Sequence, residues 1–140
     1  MLRLAKWLIL ILFANNASAK CNFPSANFIS ELSSPKNIKS IEIETPKSRK
    51  FNKNFVKILL SKHNIPSDLK SSFDSNIIVN YQFGKCSYKG NIKQHGDWKD
   101  HIKLENGNPL RSLKVSLKNG NIINAVKFKL LIPETRGDLN

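Results

Sequence analysis

The densest group of titratable side chains in the sequence lies in residues 94–102, which read QHGDWKDHI. Two imidazoles, two carboxylates and one indole fall within seven residues, at His95, Asp97, Trp98, Asp100 and His101. Such side chains can bind an ion, contact a phosphate, transfer a proton or meet a partner. The same residues are also common in solvated turns, and Gly96 favours a turn because glycine accepts unusual backbone dihedrals.

The spacing of this cluster differs from that of a regular metal site. In His-Glu-x-x-His on a helix, both imidazoles lie on one face, whereas a path from strand to loop gives His95 and His101 no shared face. We therefore expect no metal ion at the cluster. A role of Asp97 and Asp100 in acid–base chemistry remains an alternative. Trp98 is expected to fill the core or anchor a strand end rather than to stack on a ligand.

Two predicted hairpins flank the cluster and would position it. In the first, apolar residues recur at every second position, at Ile77, Val79, Tyr81 and Phe83. Asp74–Asn76 predicts a turn before this hairpin, and Gly84–Lys85 predicts its tight turn. The second strand would then lead directly to His95, with one side made by Cys86, Tyr88, Ile92 and Gln94.

The second predicted hairpin follows a turn at Asn106–Pro109. Its first strand places Leu113, Val115 and Leu117 inward, and Asn119–Gly120 is a strong hairpin signal. The return strand would place inward Val126, Phe128, Leu130 and Ile132. The outer faces of the two strands carry Lys114, Lys118, Lys127 and Lys129. These lysines could hold phosphate oxygens, or they could be the ordinary charged face of a half-exposed sheet.

Helical patterns occur earlier in the chain. Apolar residues at helical spacing predict an amphipathic helix over about residues 51–62, and Ser25 predicts a short helix to about Ser33. Pro66 would open another short helix over Ser67–Phe73, and Lys39–Thr45 alternates as a half-buried strand. The predicted fold class is α+β, with short N-terminal helices and a mainly antiparallel sheet built from C-terminal hairpins.

The first 19 residues predict a signal peptide. Arg3 and Lys6 precede an apolar run over residues 7–14, and Ala17-Ser18-Ala19 supplies a small-x-small cleavage site. The run is shorter than the roughly 20 residues that span a bilayer, so we expect no transmembrane anchor after cleavage. The chain from residue 20 onward is therefore expected to be exported, to a periplasmic or extracellular location.

Cys21 and Cys86 are the two cysteines of the chain. An even number of cysteines in an exported chain predicts one disulfide. Two free thiols remain the alternative, because the sequence alone does not establish the distance between the residues.

The chain has 140 residues and a formal net charge of +13, and lysine supplies 19 of its 23 basic residues. Readers of nucleic-acid bases rely on arginine forks, so the composition disfavours nucleic acid as a partner. A basic surface is compatible with an anionic ligand or phosphate, and also with a solvated lysine-rich surface that binds nothing.

Three segments stand in a recognisable order: GDWKDH at 96–101, SLKVSLKNG at 112–120 and VKFKLLIPETR at 126–136. This series resembles the N-terminal part of bacterial secreted proteins similar to spore coat protein H, a family that includes atypical kinases. There the pattern is a Gly-Asp-x-x-Asp-His turn, a strand with a basic residue among alternating apolar ones, and a strand ending in Pro-x-Thr-Arg. The resemblance covers about residues 86–136.

The resemblance implies that Lys114 stands where such kinases place a basic nucleotide contact. ATP and Mg would be cofactors of a full-length relative, whose catalytic and metal-binding acidic residues lie further downstream. Residues 20–140 would then be a single, incomplete N-terminal portion, with no cofactor and no phosphotransfer of its own. Arg111-Ser112 departs from the family pattern, which has an aromatic residue there. The alternative is a stand-alone basic envelope or extracellular module for anionic ligands.

Overall fold

A six-stranded antiparallel sheet dominates the computed structural model, which describes residues 18–23, 32 and 34–133. Its strands are β1 (Lys20–Asn22), β2 (Ile38–Glu44), β3 (Ser72–Tyr81), β4 (Gly84–Gln94), β7 (Leu113–Leu117) and β8 (Lys127–Leu130). Their order is β2-β3-β4-β7-β8, and β1 pairs with β4. A separate hairpin joins β5 (Ile102–Glu105) to β6 (Asn108–Arg111), and helix α1 spans Ser48–Leu60.

The structure is α+β in the broad sense, because one α-helix accompanies the sheet within the described residues. Short 3-10 turns occur at Pro35–Asn37, Ser67–Leu69 and Lys99–His101. The helix expected between Ser25 and Ser33 lies outside the described residues. No described helix has the length and apolar character needed to cross a bilayer.

The period-two pattern of β3 and β4 creates the main core. Ile77, Val79, Cys86 and Ile92 have no exposed surface and define the inner face of the sheet. Gly90 lies on the same face, where a Cβ atom would come 2.6 Å from the Ser116 carbonyl oxygen. The strands can therefore approach each other only with glycine at this position.

A second, smaller cluster holds α1 against the short hairpin. Phe55 and Ile58 of the helix pack with Ile65 and with Ile102 of β5. Both helical residues are buried, as the helical spacing predicted, because they share one face of α1. This cluster places the C-terminal end of α1 beside the chain that leaves β4.

The disulfide prediction is confirmed. Cys21 and Cys86 stand directly opposite each other on β1 and β4, and their sulfur atoms are bonded. The register of the two strands brings the residues together although 65 positions separate them in the chain.

Two predictions around the start of β3 are wrong. The expected turn at Asp74–Asn76 lies inside β3. Ser75 is buried there, and its hydroxyl forms a 2.9 Å hydrogen bond with that of Thr45, the residue after β2. The expected helix over Ser67–Phe73 is limited to the 3-10 turn at Ser67–Leu69. Phe73 is instead a buried strand residue opposite Ile92.

The turns of the two hairpins also differ from their predictions. The β3–β4 turn is formed by Gln82 and Phe83, not by Gly84–Lys85, because Gly84 already pairs with Tyr81. The turn predicted over Asn106–Pro109 is limited to Asn106–Gly107, because Asn108 and Pro109 belong to β6, and the strands on either side were missed. Their pattern gives little periodicity, since Ile102 is the only buried residue of the two strands.

The β7–β8 connection is a longer loop than Asn119–Gly120 predicted. The Asn119 side-chain oxygen accepts a 2.6 Å hydrogen bond from the backbone N–H of Lys89, so this residue fastens the loop to β4. A tight turn forms later, where Ile122 and Ala125 exchange two backbone hydrogen bonds. Val126 is 52% exposed, which contradicts its predicted inward position.

The two faces of β7 give a direct test of the fold. Val115 is buried on the inner face, and Lys114 next to it is exposed on the outer face. Val115→Ala should lower the free energy of unfolding by about 2 kcal/mol, because it removes buried methyl groups and leaves a cavity. Lys114→Ala should change it by less than about 0.5 kcal/mol. Urea denaturation measures both, and equal losses would contradict the assigned faces.

Candidate functional site

The turn that follows β4 is held by contacts with the segment after α1. Asp97 forms a close ion pair with Lys70, which lowers the pKa of the carboxyl group, and its backbone oxygen accepts a 2.8 Å hydrogen bond from Ile65. The Lys99 ammonium donates to the Leu59 carbonyl oxygen at 2.9 Å, near the C-terminal end of α1. These side chains therefore position the turn, which disfavours Asp97 as an acid or base.

Trp98 lies on the surface of this turn. Its backbone pairs with Asn64 in an isolated bridge, as expected of an anchor, but 65% of the residue is exposed. The expectation that Trp98 fills the core is therefore wrong. The backbone binds the chain to the segment after α1, while the indole remains available to solvent.

The structure brings His95 and His101 together, although six positions separate them. Their ring centroids are 4.8 Å apart, and His101 Nδ1 is 3.2 Å from the hydroxyl oxygen of Ser112. Ser112 is fully buried and also accepts a 3.1 Å hydrogen bond from the backbone of Ile132. Asp100 lies at the margin of the pair, 4.0 Å from His101 Nε2.

Two members of this site were missed in the sequence analysis. The buried side-chain amide of Gln94 lies 3.0–3.2 Å from the carbonyl oxygens of His95, His101 and Ser112. Gln94 thus links the end of β4 to the turn and to the start of β7. The buried hydroxyl of Ser112 joins the same network. Neither residue type signals such a role in a sequence, because serine and glutamine are common on exposed strands.

Within residues 18–23, 32 and 34–133, no three His, Cys, Asp or Glu side chains are arranged to hold a metal ion. The cluster named in the sequence analysis divides into an imidazole pair and a carboxylate that faces Lys70.

Burial and nearby positive charge both lower the pKa of His95. Desolvation lowers the pKa of His95, and repulsion from His101, Lys129 and Lys114 lowers it further, while Asp97 opposes the change. The Nδ1 atom of His95 is buried without a hydrogen-bond partner in the described part of the chain. The neutral imidazole is therefore the form that the folded protein prefers.

We predict a loss of stability on acidification that depends on His95. In the unfolded chain this imidazole takes up a proton near pH 6.5, whereas the folded protein does so only at lower pH. The contribution of neutral His95 to the free energy of unfolding is thus complete above about pH 6.5. It declines as the pH falls through and below that value. Denaturation of His95→Gln across this range should show a flatter profile than the unaltered chain. His63, which is exposed, provides the control. If His63→Gln flattened the pH profile of stability as much as His95→Gln, this assignment would be contradicted.

Arg111, the last residue of β6, contacts two aromatic rings of α1. Its guanidinium lies 3.9 Å from the ring centre of Phe51 and 4.6 Å from that of Phe55, both on α1. Burial lowers the pKa of Arg111 to about 10. The cation–π contacts hold the end of β6 against the helix, so an arginine connects two elements here.

Three lysines face one another across neighbouring strands of the outer face. Lys93 of β4 stands opposite Lys114 of β7, and Lys114 stands opposite Lys129 of β8. We call these three residues the lysine row. Adjacent strands lie about 4.8 Å apart, so the row spans roughly 10 Å. Like charges directly opposite each other destabilise a sheet, and three such residues in succession are therefore unfavourable without an anion.

The charge of Lys114 helps to lower the pKa of Asp97, but the ion pair of Asp97 is with Lys70, outside the row. No carboxylate lies within ion-pair distance of the row or of Lys127 in residues 34–133. Lys118, by contrast, binds Asp74 at 2.6 Å, and this contact lowers the pKa of Asp74. The four-lysine patch expected from the sequence thus loses Lys118 to an ion pair and gains Lys93.

Comparisons with protein-family models, curated proteins and solved structures gave no match.

Proposed function

We propose that the protein is an exported binding module whose lysine row binds an anionic ligand through phosphate or sulfate groups. The observation that carries the proposal is the direct apposition of Lys93, Lys114 and Lys129, with no carboxylate of residues 34–133 within ion-pair distance of them. Export is supported by the N-terminal sequence pattern and by the Cys21–Cys86 disulfide.

The row favours an oxyanion because of the way lysine donates hydrogen bonds. Each ammonium is a compact charge with three donors, and phosphate and sulfate oxygens accept charge-assisted bonds from several donors at once. Neighbouring ammonium groups on adjacent strands could share one such group or bind successive groups of a polyanion. A bound anion would also remove the repulsion within the row, so the free energy of that repulsion would contribute to binding.

A second candidate function rests on the central position of Lys114. We propose, from the resemblance to the spore coat protein H family, that this residue contacts the phosphates of a nucleotide in an N-terminal portion of a kinase-like protein. Its exposure on the outer face of β7, between two further lysines, supports this reading. Phosphotransfer would need metal-holding carboxylates and a group that orients the nucleophile, so we expect none from this chain alone.

The lysine row can be tested with inorganic tripolyphosphate as the probe. The triple variant Lys93→Gln/Lys114→Gln/Lys129→Gln should bind it at least about 100-fold more weakly, because each charged hydrogen bond contributes roughly 1.5 kcal/mol or more. Isothermal titration calorimetry at fixed ionic strength measures the affinity. The matched control, Lys39→Gln/Lys62→Gln/Lys85→Gln, removes the same charge from exposed positions outside the row.

Equal losses in the two triple variants would show that net charge alone attracts the probe, and would refute the site. The kinase-like hypothesis requires a further result. The affinity for ATP should fall more on substitution of Lys114 than on substitution of Lys93 or Lys129. Transfer of phosphate from ATP by this chain, abolished by Lys114→Ala, would contradict our expectation that the chain lacks the complete chemistry.

A further inference from the structure

We propose that helix α1, together with Trp98, is a peripheral binding surface for a membrane that contains anionic lipids. This surface is separate from the lysine row, and the proposal does not depend on the function assigned to that row. It rests on exposed apolar side chains, on an exposed indole and on the charge of the surrounding chain.

The side of α1 that faces solvent carries apolar side chains among cations. Arg49, Lys53, Val56 and Leu60 recur at helical spacing, on the side away from the buried residues Phe55 and Ile58. Leu60 is 79% exposed and Val56 is 51% exposed. We call these four residues the outer face of α1. The helix therefore has apolar residues on both sides. The described part of the protein covers only the side that carries Phe55 and Ile58.

Trp98 extends this surface beyond the end of the helix. Its backbone pairs with Asn64, four residues after Leu60, and the next residue, Lys99, reaches the Leu59 carbonyl oxygen. The backbone of Trp98 therefore lies near the C-terminal end of α1, and the residue is 65% exposed. Tryptophan favours the boundary between lipid headgroups and acyl chains, because its ring is apolar and its N–H can still donate a hydrogen bond.

The charge of α1 favours anionic lipid as the partner. Asp97 and Asp100 flank Trp98, and Asp97 is paired with Lys70. Residues 46–67 contain no aspartate or glutamate, and the basic residues among them are Lys47, Arg49, Lys50, Lys53, Lys57 and Lys62. A helix with cations beside a few large apolar residues is typical of segments that lie in the membrane interface. With 13 residues, α1 is too short to span a bilayer, so binding would be peripheral.

Tryptophan fluorescence gives a direct measurement. The chain has two tryptophans, so Trp7→Phe leaves Trp98 as the only one. With vesicles of equal phosphatidylcholine and phosphatidylglycerol, its emission should shift to shorter wavelength and should be quenched by brominated acyl chains. With vesicles of phosphatidylcholine alone, both changes should be much smaller. Unchanged emission on the mixed vesicles, or equal changes on both kinds, would overturn the proposal.

Variants in the same Trp7→Phe background locate the surface, and any effect of residues 1–19 is common to all of them. Lys53→Gln/Lys57→Gln should weaken binding to mixed vesicles about 30-fold, since each lysine near an anionic surface contributes about 1 kcal/mol. Leu60→Ser should also weaken binding, whereas Val126→Ser, at an exposed apolar residue of the β7–β8 loop, should not. Loss of binding in the triple variant of the lysine row, with none in Lys53→Gln/Lys57→Gln, would overturn the assignment to α1.

Discussion

Reduction of the Cys21–Cys86 disulfide is expected to lower the free energy of unfolding by about 4 kcal/mol, on the chain-entropy estimate for a loop of this length. The bond joins residues 65 positions apart, so it restricts the unfolded chain strongly. The bond also holds β1 against β4. This strand has only three residues and pairs with β4 alone. Without the bond, the backbone hydrogen bonds of so short a strand would open readily.

Chemical reduction of the unaltered chain is the cleanest comparison, because Cys86 is fully buried and serine would introduce a polar group there. Cys21→Ala/Cys86→Ala provides a second measurement that does not depend on the reductant. Guanidinium denaturation gives the stability, and hydrogen exchange of Lys20–Asn22 reports on β1. Identical denaturation midpoints for the oxidised and reduced chains would contradict the predicted contribution.

Gly96→Ala should destabilise the protein by about 2–5 kcal/mol, through a backbone effect and a steric one. Gly96 has a φ of 85°, which is unfavourable for residues with a side chain. An added Cβ would also overlap the imidazole ring of His101. The imidazole would therefore have to move away from Ser112, and the contacts that join the turn to β7 would be lost.

Gly107→Ala is the matched control, because it separates the two causes. Gly107 has a similar φ of 78°, but an added Cβ there would meet no atom within 4 Å. This change should cost only about 1–2 kcal/mol, from the backbone alone. Denaturation curves of both variants give the difference, which measures the packing of His101 against Gly96. Equal losses would show that this packing contributes nothing to stability.

The lysine row illustrates how far a candidate site can be predicted from sequence. Alternation alone placed Lys114 and Lys129 on the outer face of their strands, and the structure agrees. The third member, Lys93, joins them only because β4 pairs with β7 in a particular register. Lys118 leaves the group because Asp74, 44 positions earlier, lies within hydrogen-bond distance of its ammonium. Local periodicity contains no information about either contact.

The turn at residues 96–101 shows the same limit. Its composition indicated a turn rich in titratable groups, and the glycine has the expected unusual dihedral. Its role depends on partners elsewhere, because Lys70 binds Asp97 and Ser112 binds His101. Of the side chains that suggested chemistry, Asp97 and His101 are thus engaged in holding the turn to Lys70 and to Ser112 at the start of β7.

Regular periodicity was enough to predict α1 and the strands β2, β3, β4 and β7. The number of cysteines and the N-terminal pattern also indicated the disulfide. Contacts between distant residues, in contrast, establish that Asp74–Asn76 continues β3, that β5 and β6 are strands, and that Val126 faces solvent. Periodicity reports only which face of an element is buried. Polar strand residues are instead stabilised by hydrogen bonds to partners that are distant in the chain.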